Sequence, residues 1–440
     1  MQIQSKLAWM AVCAIYAIAA TVAAASPITS TWLGGAGNWV DAARWSAGIP
    51  GAGYQVLVDG GNPASSVVTV NVATPALNNI GLDAGDAIVV QNSLSSGEIT
   101  SFGGVTVNGG GTLNVGAAGF VQDQATAALT VQTGGSLLDA GAYSQGNGST
   151  LVNGTLSTPL FHVTGGTVTT GNGGFLNIGA GGYTQAGSTV TTIDAGGSMT
   201  STGFVAQGGG DTIVNGTLSS ALFHVTGNSV QIGSGGILDA GAGGYTQGTA
   251  GSFTSIAAGG ELLVGGGDYS QEIGTWTVLD GALTADTISN SGDFSGIGTM
   301  TGSLIDLGSI TPGDDGLGSM TLDGQYDQTG FLYIDISGPN QANRLAITGA
   351  ATLGGTLSLD LLNGFTPSLG DAYEVLSFGS RTGDFGVFSA PALPPGLAWQ
   401  ETYDANDLYV SVVKTSVPEP GSVLLLLAGL GLCALRKRVR

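Results

Sequence analysis

Short words in which polar and apolar residues alternate recur along most of this chain. Gly-Thr-Leu-Asn-Val at 111–115 is one of them, and its Leu113 and Val115 fall on one face of an extended strand. Glycine pairs separate the words, and glycine readily adopts the positive φ that tight turns need. The pattern therefore predicts many short strands, each with one buried face, joined by tight turns.

The strand-like words form an internal repeat. Each copy reads Gly-Gly-x-Leu (Met in the fourth copy), a few small residues, an aromatic residue, one further residue and Gln. The copies begin 24, 39, 23, 39 and 24 residues apart, and Phe204 in the fourth copy stands one place early. Repeats of this length with β-prone words predict a solenoid whose coils stack like residues on like. The glutamines of the six copies are Gln122, Gln145, Gln185, Gln207, Gln247 and Gln271.

A second repeated word contains the two histidines of the chain and gives their expected separation. Leu-Phe-His-Val-Thr-Gly occurs at 160–165 and again at 222–227, so His162 and His224 are expected about three coils apart. The fold class predicted is all-β: a right-handed parallel β-helix with an N-terminal cap, a β-structured C-terminal cap and terminal targeting helices. An array of β-sandwiches is the alternative, although separate sandwich domains would not share words this closely.

The chain divides into five segments by composition. Lys6, an apolar stretch at 7–20 and a small-residue cleavage site at Ala23 and Ala25 are typical of a secretory signal peptide. The segments are a signal peptide at 1–25, an N-terminal cap with the first coils at 26–95, Gly-rich β-helix repeats at 96–307, a C-terminal β-structured segment at 308–415 and a sorting tail at 416–440.

The tail has three parts in a fixed order. An extended Pro-Glu-Pro is followed by fifteen uncharged residues and then by a basic end. The uncharged run spans only about 22 Å as a helix, against a hydrocarbon core of about 30 Å, which suits a transient stop better than a permanent anchor. The basic end is expected to stay cytoplasmic. The residues concerned are Pro418, Glu419, Pro420, Arg436, Lys437 and Arg438.

This tail resembles the PEP-CTERM sorting signal of exopolysaccharide-producing Gram-negative bacteria. The resemblance implies that an exosortase, a membrane protease, cleaves near Pro418–Pro420 and releases or attaches the protein outside the cell. The secretion machinery and the exosortase are then the implied partners, with transient contact between the C-terminal helix and the inner membrane. An ordinary C-terminal anchor helix is the alternative interpretation.

Two other stretches are similar to secreted β-helix proteins related to autotransporter passengers. The first contains Trp32, Trp39 and Trp45, which we expect to cover the open first coil; a platform that stacks on sugar rings is the alternative. The second runs from about 308 to 388 and resembles the closing segment of such passengers. It implies a β-structured end cap.

Charge and cysteine content exclude several function classes. From Ser26 to Pro420 the chain has four cationic and 30 acidic residues, a formal charge of −26. Such a surface does not attract the phosphate backbone of nucleic acids. Cys13 and Cys433 lie in the leader and the tail, so the body has no disulfide, thiolate metal site or cysteine nucleophile.

An enzyme of the β-helix type would need chemistry that the repeats do not offer. No Lys or Arg occurs between 110 and 298, which removes the base of a polysaccharide lyase. Asp139 and Asp239 fall in the repeated word Leu-Asp-Ala-Gly and are expected in a turn or a surface ladder rather than in a catalytic site, and no cofactor or metal site is expected. The sequence predicts a non-enzymatic exported surface or matrix protein, with extracellular polysaccharide as a partner. A carbohydrate-binding adhesin using the three tryptophans and a polysaccharide hydrolase are the alternatives.

Overall fold

Short strands make up nearly all of the computed structural model, which describes residues 26–59, 65–313 and 316–415. Up to residue 101 the strands are β1 (Thr29–Trp32), β2 (Ala36–Asn38), β3 (Gln55–Val58), β4 (Val67–Val70), β5 (Asn79–Leu82), β6 (Ala87–Val90) and β7 (Ser93–Ser101). From 102 to 307 they are β8 (Gly104–Val107), β9 (Thr112–Gln122), β10 (Ala128–Val131), β11 (Ser136–Asp139), β12 (Ala142–Gln145), β13 (Ser149–Val152), β14 (Thr155–Val163), β15 (Thr167–Thr170), β16 (Phe175–Gln185), β17 (Val190–Ile193), β18 (Ser198–Gln207), β19 (Asp211–Val214), β20 (Thr217–Val225), β21 (Ser229–Ile232), β22 (Ile237–Asp239), β23 (Tyr245–Gln247), β24 (Phe253–Ile256), β25 (Glu261–Leu263), β26 (Asp268–Gln271), β27 (Trp276–Leu279), β28 (Ala282–Asn290), β29 (Asp293–Gly296) and β30 (Thr299–Asp306).

The C-terminal part of the described chain also consists mainly of short strands. From 308 onward the strands are β31 (Ser309–Pro312), β32 (Ser319–Asp323), β33 (Tyr326–Gln328), β34 (Phe331–Gly338), β35 (Gln341–Ala342), β36 (Arg344–Ile347), β37 (Ala350–Leu353), β38 (Thr356–Leu361), β39 (Ala372–Ser377), β40 (Ser380–Thr382), β41 (Val387–Ser389), β42 (Leu397–Tyr403) and β43 (Asp407–Lys414). Three short 3-10 helices span Ala42–Arg44, Gly241–Gly243 and Leu362–Gly364.

Parallel pairing between successive turns arranges these strands into two ladders. In the first ladder β14 pairs with β16, β16 with β18 and β18 with β20. In the second ladder β15 pairs with β17, β17 with β19 and β19 with β21. The result is a parallel β-solenoid of about 15 turns, which confirms the predicted fold class and excludes the sandwich array. The predicted terminal helices fall at 1–25 and 416–440, outside the described residues.

The alternation read from the sequence decides which side chains fill the interior. In β9 Leu113 and Val115 are buried and their neighbours Thr112 and Asn114 face outward. Parallel register then places each inward residue over its equivalent in the next turn, so the interior is built of columns. Each fully buried aliphatic side chain contributes about 1.5–3 kcal/mol. One such column contains Leu113, Leu137, Leu156, Leu176, Met199 and Leu218.

An aromatic column runs through the same interior. Tyr245 stacks on Tyr269 with ring centroids 5.3 Å apart and planes 3° apart. In the fourth copy Val205 occupies the column and Phe204 points outward, which explains the aromatic residue that stood one place early. Phe161 belongs to the column as well, so the 39-residue steps contain two coils. The members are Phe120, Tyr143, Phe161, Tyr183, Val205, Phe223, Tyr245 and Tyr269.

The repeated glutamines lie in a buried column at the corner between the two ladders, and Val163 and Val225 occupy the turns between the second and third and between the fourth and fifth glutamines. The Nε2 atom of Gln185 lies 3.3 Å from the carbonyl oxygen of Thr189 in its own turn. It also lies 3.2 Å from the carbonyl of Gly209 and 3.1 Å from that of Asp211, both in the next turn. One side-chain amide therefore joins the corner of one turn to the corner of the next. Gln122, Gln145 and Gln207 repeat this pattern.

A buried threonine completes three of the glutamine corners, those of Gln145, Gln185 and Gln247. Thr191 donates to Oε1 of Gln185 at 2.7 Å and shares a hydrogen bond with the hydroxyl of Tyr183 at 2.5 Å. Burial raises the pKa of Tyr183 far above its ordinary value, so the phenol stays protonated. The same arrangement recurs in Tyr143–Thr150–Gln145 and Tyr245–Thr254–Gln247. The repeated aromatic-x-Gln word is thus a corner device in which most buried polar atoms find a partner, although Oε1 of Gln207 has none among the described residues.

Some corner glycines are required by the close approach of the next turn. Gly210 has φ of 68°, and a Cβ added there would lie 1.9 Å from the carbonyl oxygen of Thr189. Neither the backbone conformation nor the space accepts a side chain. The glycine content of the chain therefore follows in part from the tight corners.

The ends of the solenoid are built differently from its middle. Trp32 and Trp39 each pack edge-to-face on Trp45, with centroids 4.9 Å apart in both pairs. Arg44 lies over the ring of Trp32 and donates to the carbonyl of Gly34 at 2.7 Å. At the other end β43 pairs antiparallel with β42 and with β39, which closes the parallel stack. The ladders cross the predicted boundary at 307/308 without interruption.

One member of the corner column is a carboxyl group. Asp306 is fully buried, accepts from Nδ2 of Asn290 at 2.9 Å and accepts from the hydroxyl of Tyr326 at 3.1 Å. Burial raises the pKa of Asp306 to about 6 from its ordinary 3.8, because the charged form loses its hydration. Between about pH 4 and pH 6 the folded protein therefore keeps this carboxyl largely protonated, whereas an exposed aspartate is ionised there.

Replacing a corner glutamine tests the role of the amide. Gln185→Met keeps the approximate volume but leaves buried carbonyl groups without their donor, each of which costs about 1–3 kcal/mol. We expect a lower midpoint in chemical denaturation. Gln231→Met is the matched control, since Gln231 is exposed on the second ladder. Equal stability of the two variants would contradict the assignment.

The buried carboxyl predicts a pH dependence of stability. Its contribution is fully present below about pH 4 and is lost as the pH rises through about 6, where the folded protein must ionise Asp306. Asp306→Asn should remove this loss, which for a pKa shift of this size amounts to roughly 3 kcal/mol between pH 4 and pH 8. Denaturation at pH 4 and pH 8 measures the effect, with the exposed Asp327→Asn as control. An unchanged pH dependence in Asp306→Asn would be inconsistent with a buried, protonated carboxyl.

Candidate functional site

The predicted tryptophan site lies inside the protein. Trp32, Trp39 and Trp45 have exposed fractions of 1%, 1% and 3%. The indole of Trp45 donates to the carbonyl of Trp39 at 2.8 Å. A platform for sugar rings needs an open ring face, and packing among the three indoles and the first coil removes it. The structure therefore supports the cap and gives no support to a glycan platform at these residues.

The two histidines point outward and are far apart. Register places them in one outward column, His162, Thr184, Ala206 and His224, which separates them by three strand spacings. At about 4.8 Å per strand this is about 14 Å, too far for both to bind one metal ion. The three-coil separation agrees with the sequence prediction.

The repeated aspartates hold turns. Oδ1 of Asp139 accepts from the backbone amide of Gly141 at 3.0 Å, and Oδ1 of Asp239 accepts from that of Gly241 at 2.9 Å. Burial raises the pKa of Asp139 above its ordinary value. Within residues 26–59, 65–313 and 316–415, no three His, Cys, Asp or Glu side chains form a group that could hold a metal ion. Asp314 and Asp315 lie outside the described residues.

One pair of carboxylates comes together in the C-terminal part. Asp335 in β34 and Asp360 in β38 are directly opposite each other in parallel register. Burial, followed by the negative charge of Asp360, raises the pKa of Asp335, and Asn343 donates to its Oδ2 at 3.1 Å. The pair was missed because the two residues are separated in sequence. The alternation in Phe-Leu-Tyr-Ile-Asp at 331–335 was the available signal, since it predicts one outward face.

The aromatic residues of that same face are open to solvent. Phe331 and Tyr333 stack with centroids 5.8 Å apart and planes 8° apart, and they are 45% and 39% exposed. Both point outward from β34, on the side that carries Asp335. Exposed flat rings beside polar groups are a surface on which a ligand can pack.

Small hydroxyl and amide residues dominate the outer face of the repeats. Along the first ladder they form two neighbouring outward columns at the strand spacing of about 4.8 Å. A shallow depression of about 250 Å³ lies further along, with Glu261, Asp280 and Thr299 in its lining. The column residues are Thr112, Ser136, Thr155, Ser198 and Thr217 in one, interrupted by Phe175, and Asn114, Ser157, Asn177, Thr200 and Ser219 in the other, interrupted by Leu138.

The termini carry the targeting features. Signal residues Ala23 and Ala25 and the tail residues Pro418, Glu419, Pro420, Arg436, Lys437 and Arg438 all lie outside the described residues. Within the part that the structure describes, no helix has the length and apolar character needed to cross a membrane.

Comparison with known proteins assigns the tail. A family model, the PEP-CTERM protein-sorting motif, matches residues 416–439. Among curated proteins, none matches the chain. The matched segment contains the Pro-Glu-Pro, the apolar run and nearly all of the basic end, which are the three parts recognised in the sequence. The chain is therefore a parallel β-solenoid followed by a PEP-CTERM sorting motif, and this motif implies an exported protein that an exosortase directs to the cell surface.

Proposed function

We propose that this chain is a non-enzymatic structural protein of an extracellular polysaccharide matrix, in which it acts as a rigid spacer or scaffold. The observation that carries the proposal is the outer face of the repeats. Columns of serine, threonine and asparagine lie on a fixed backbone, and no Lys or Arg occurs between 96 and 307. Such a face offers many hydrogen-bond donors and acceptors to sugar hydroxyl groups.

The solenoid gives this face length and stiffness. About 15 turns at about 4.8 Å each make a stack of about 70 Å. Backbone hydrogen bonds and the corner amides join each turn to the next, so the outward columns keep a constant spacing. A spacer needs this combination of extended form and regular surface.

The net charge of the protein indicates which class of polysaccharide could surround it. The body carries a formal charge of −26, and the described arginines have partners within the fold. Arg344, for example, pairs with Glu374 at 2.7 Å. A surface of this kind repels acidic polymers and stays soluble among neutral ones. An uncharged polysaccharide is therefore the favoured surrounding.

The hydrolase alternative has one structural candidate, the pair Asp335 and Asp360. Glycosidases use two carboxyl groups on opposite sides of the bond they cleave. Here both groups belong to neighbouring strands of one outward face, and Asn343 and the backbone amide of Leu361 already donate to them. Incubation of the purified protein with the host polysaccharide tests the alternative. New reducing ends that disappear in Asp335→Asn would contradict a non-enzymatic role.

Localisation within the matrix tests the proposal itself. We expect the exported protein to remain with the polysaccharide fraction when cells are washed. In a strain unable to make the polysaccharide, the protein should appear in the culture medium or on the bare cell surface. Equal distribution of the protein in both strains would contradict a matrix role.

The sorting tail generates a separate prediction. Replacing Pro418, Glu419 and Pro420 together by alanine should leave an uncleaved precursor in the membrane fraction, because the protease loses its recognition sequence. Ser416→Ala, just outside the Pro-Glu-Pro, serves as the control. Mass spectrometry of the mature C-terminus reads the result directly. Secreted wild-type protein that still ends at Arg440 would show that no cleavage occurs.

A further inference from the structure

The second ladder carries large aromatic residues on its outer face. Phe253, Trp276, Phe331 and Tyr333, together named the aromatic strip, all point outward from strands that otherwise bury their apolar side chains. Trp276 is 46% exposed, comparable with Phe331 and Tyr333. An aromatic ring in this position contributes little to the core, and exposed apolar surface bordered by polar groups can mark an interaction site.

Register arranges the aromatic strip along the solenoid axis. Phe253 is paired directly with Trp276 on the next strand. Asp293 and Ser309 then follow in the same column before Phe331, which puts Trp276 and Phe331 about 14 Å apart at about 4.8 Å per strand. Tyr333 stacks beside Phe331 in the adjacent column. The strip is therefore elongated in the direction in which an extended polymer chain would lie on the ladder.

Polar groups lie between and beside the rings. Asp293 accepts a hydrogen bond from the hydroxyl of Ser309 at 2.5 Å, in the gap between Trp276 and Phe331. Asp335 and Asp360 stand next to the Phe331–Tyr333 stack. Carboxylates accept hydrogen bonds at two oxygens each, and sugar hydroxyl groups are suitable donors to them. Flat rings alternating with acceptors match a ligand that has both apolar C–H faces and hydroxyl edges.

We propose that the aromatic strip is a binding site for an uncharged polysaccharide, which lies along the solenoid axis with sugar rings packed on Trp276 and on the Phe331–Tyr333 stack. The electron-rich faces of the rings attract the C–H groups of the sugar. The acceptors Asp293 and Asp335 hold its hydroxyl groups. This site rests on the proposed matrix function and adds the contact through which the protein holds the polymer.

Charge argues against the other occupants of an exposed apolar face. A second copy of the chain carries the same charge of −26 and would be repelled at low ionic strength. An acidic polysaccharide would place its carboxylates against Asp293, Asp335 and Asp360.

Affinity electrophoresis of the full-length protein tests the site. Native gels containing a neutral glucan should retard the wild type, and gels containing alginate, an acidic polymer, should not. Trp276→Ala and the double variant Phe331→Ala/Tyr333→Ala should each weaken glucan binding about tenfold or more, the loss expected of an anchoring aromatic residue. Phe175→Ala is the matched control, because Phe175 is 50% exposed on the first ladder. Thermal melting checks that all variants remain folded.

The outcomes separate the site from the matrix function. Glucan binding that survives in Trp276→Ala and in the double variant would overturn the site while leaving the matrix function intact. The same holds if Phe175→Ala weakens binding as much as the strip variants do, or if the wild type binds alginate better than glucan. Concentration-dependent dimers in sedimentation that Trp276→Ala dissolves would identify the strip as an interface between copies and would also overturn it. The matrix function is tested separately by the fractionation of washed cells, where an equal distribution of the protein with and without the polysaccharide would contradict it.

Discussion

The hydrogen bonds of the buried corner amides are the constraint on which the rest of this structure depends. In a parallel solenoid the strands are held by their ladders, but the corners between ladders expose backbone carbonyl groups to an apolar interior. Gln185 supplies the missing donors in its own turn and in the next, Thr191 donates to its side-chain oxygen, and Thr191 shares a second hydrogen bond with the hydroxyl of Tyr183. Where a glutamine occupies the corner, it joins one turn to the next and helps to hold the two turns in register. The columns also continue through Val163 and Val225, where the backbone ladders join the turns.

This internal order leaves the outside of the protein free for function. Stability comes from inward columns of aliphatic, aromatic and amide side chains, so outward positions can carry whatever the surroundings require. In the first ladder they carry small hydroxyl residues, and in the second they carry exposed aromatic rings bordered by carboxylates. The sorting motif at 416–439 implies that this surface is displayed outside the cell. A rigid, acidic body with a regular face is consistent with a protein that works among neutral sugar polymers.

Much of the fold could be predicted because the repeat is explicit in the sequence. The recurring words predicted the strands, the parallel stacking and the separation of the two histidines. The substitution of Val205 for Phe204 in the column could not be foreseen, since it depends on where the outward bulge falls in β18. The partner threonines were missed because they lie on the following strand, outside the repeated word. The tryptophans and the aromatic strip could not be told apart from the sequence. The sequence shows which residues are aromatic, but only the packing of the fold decides which of their rings face solvent.

Amide hydrogen exchange measures the turn-to-turn coupling most directly. In Gln145→Met, we predict faster exchange in β13 and in β15 than in the wild type, because Gln145 donates to carbonyl groups of Gly148, Gly165 and Thr167 around these strands. Strands far along the axis, such as β27 and β29, should keep their protection, since each turn contacts only its neighbours. Exchange in β13 and β15 that matches the wild type would contradict the claim that the corner amides hold the solenoid in register.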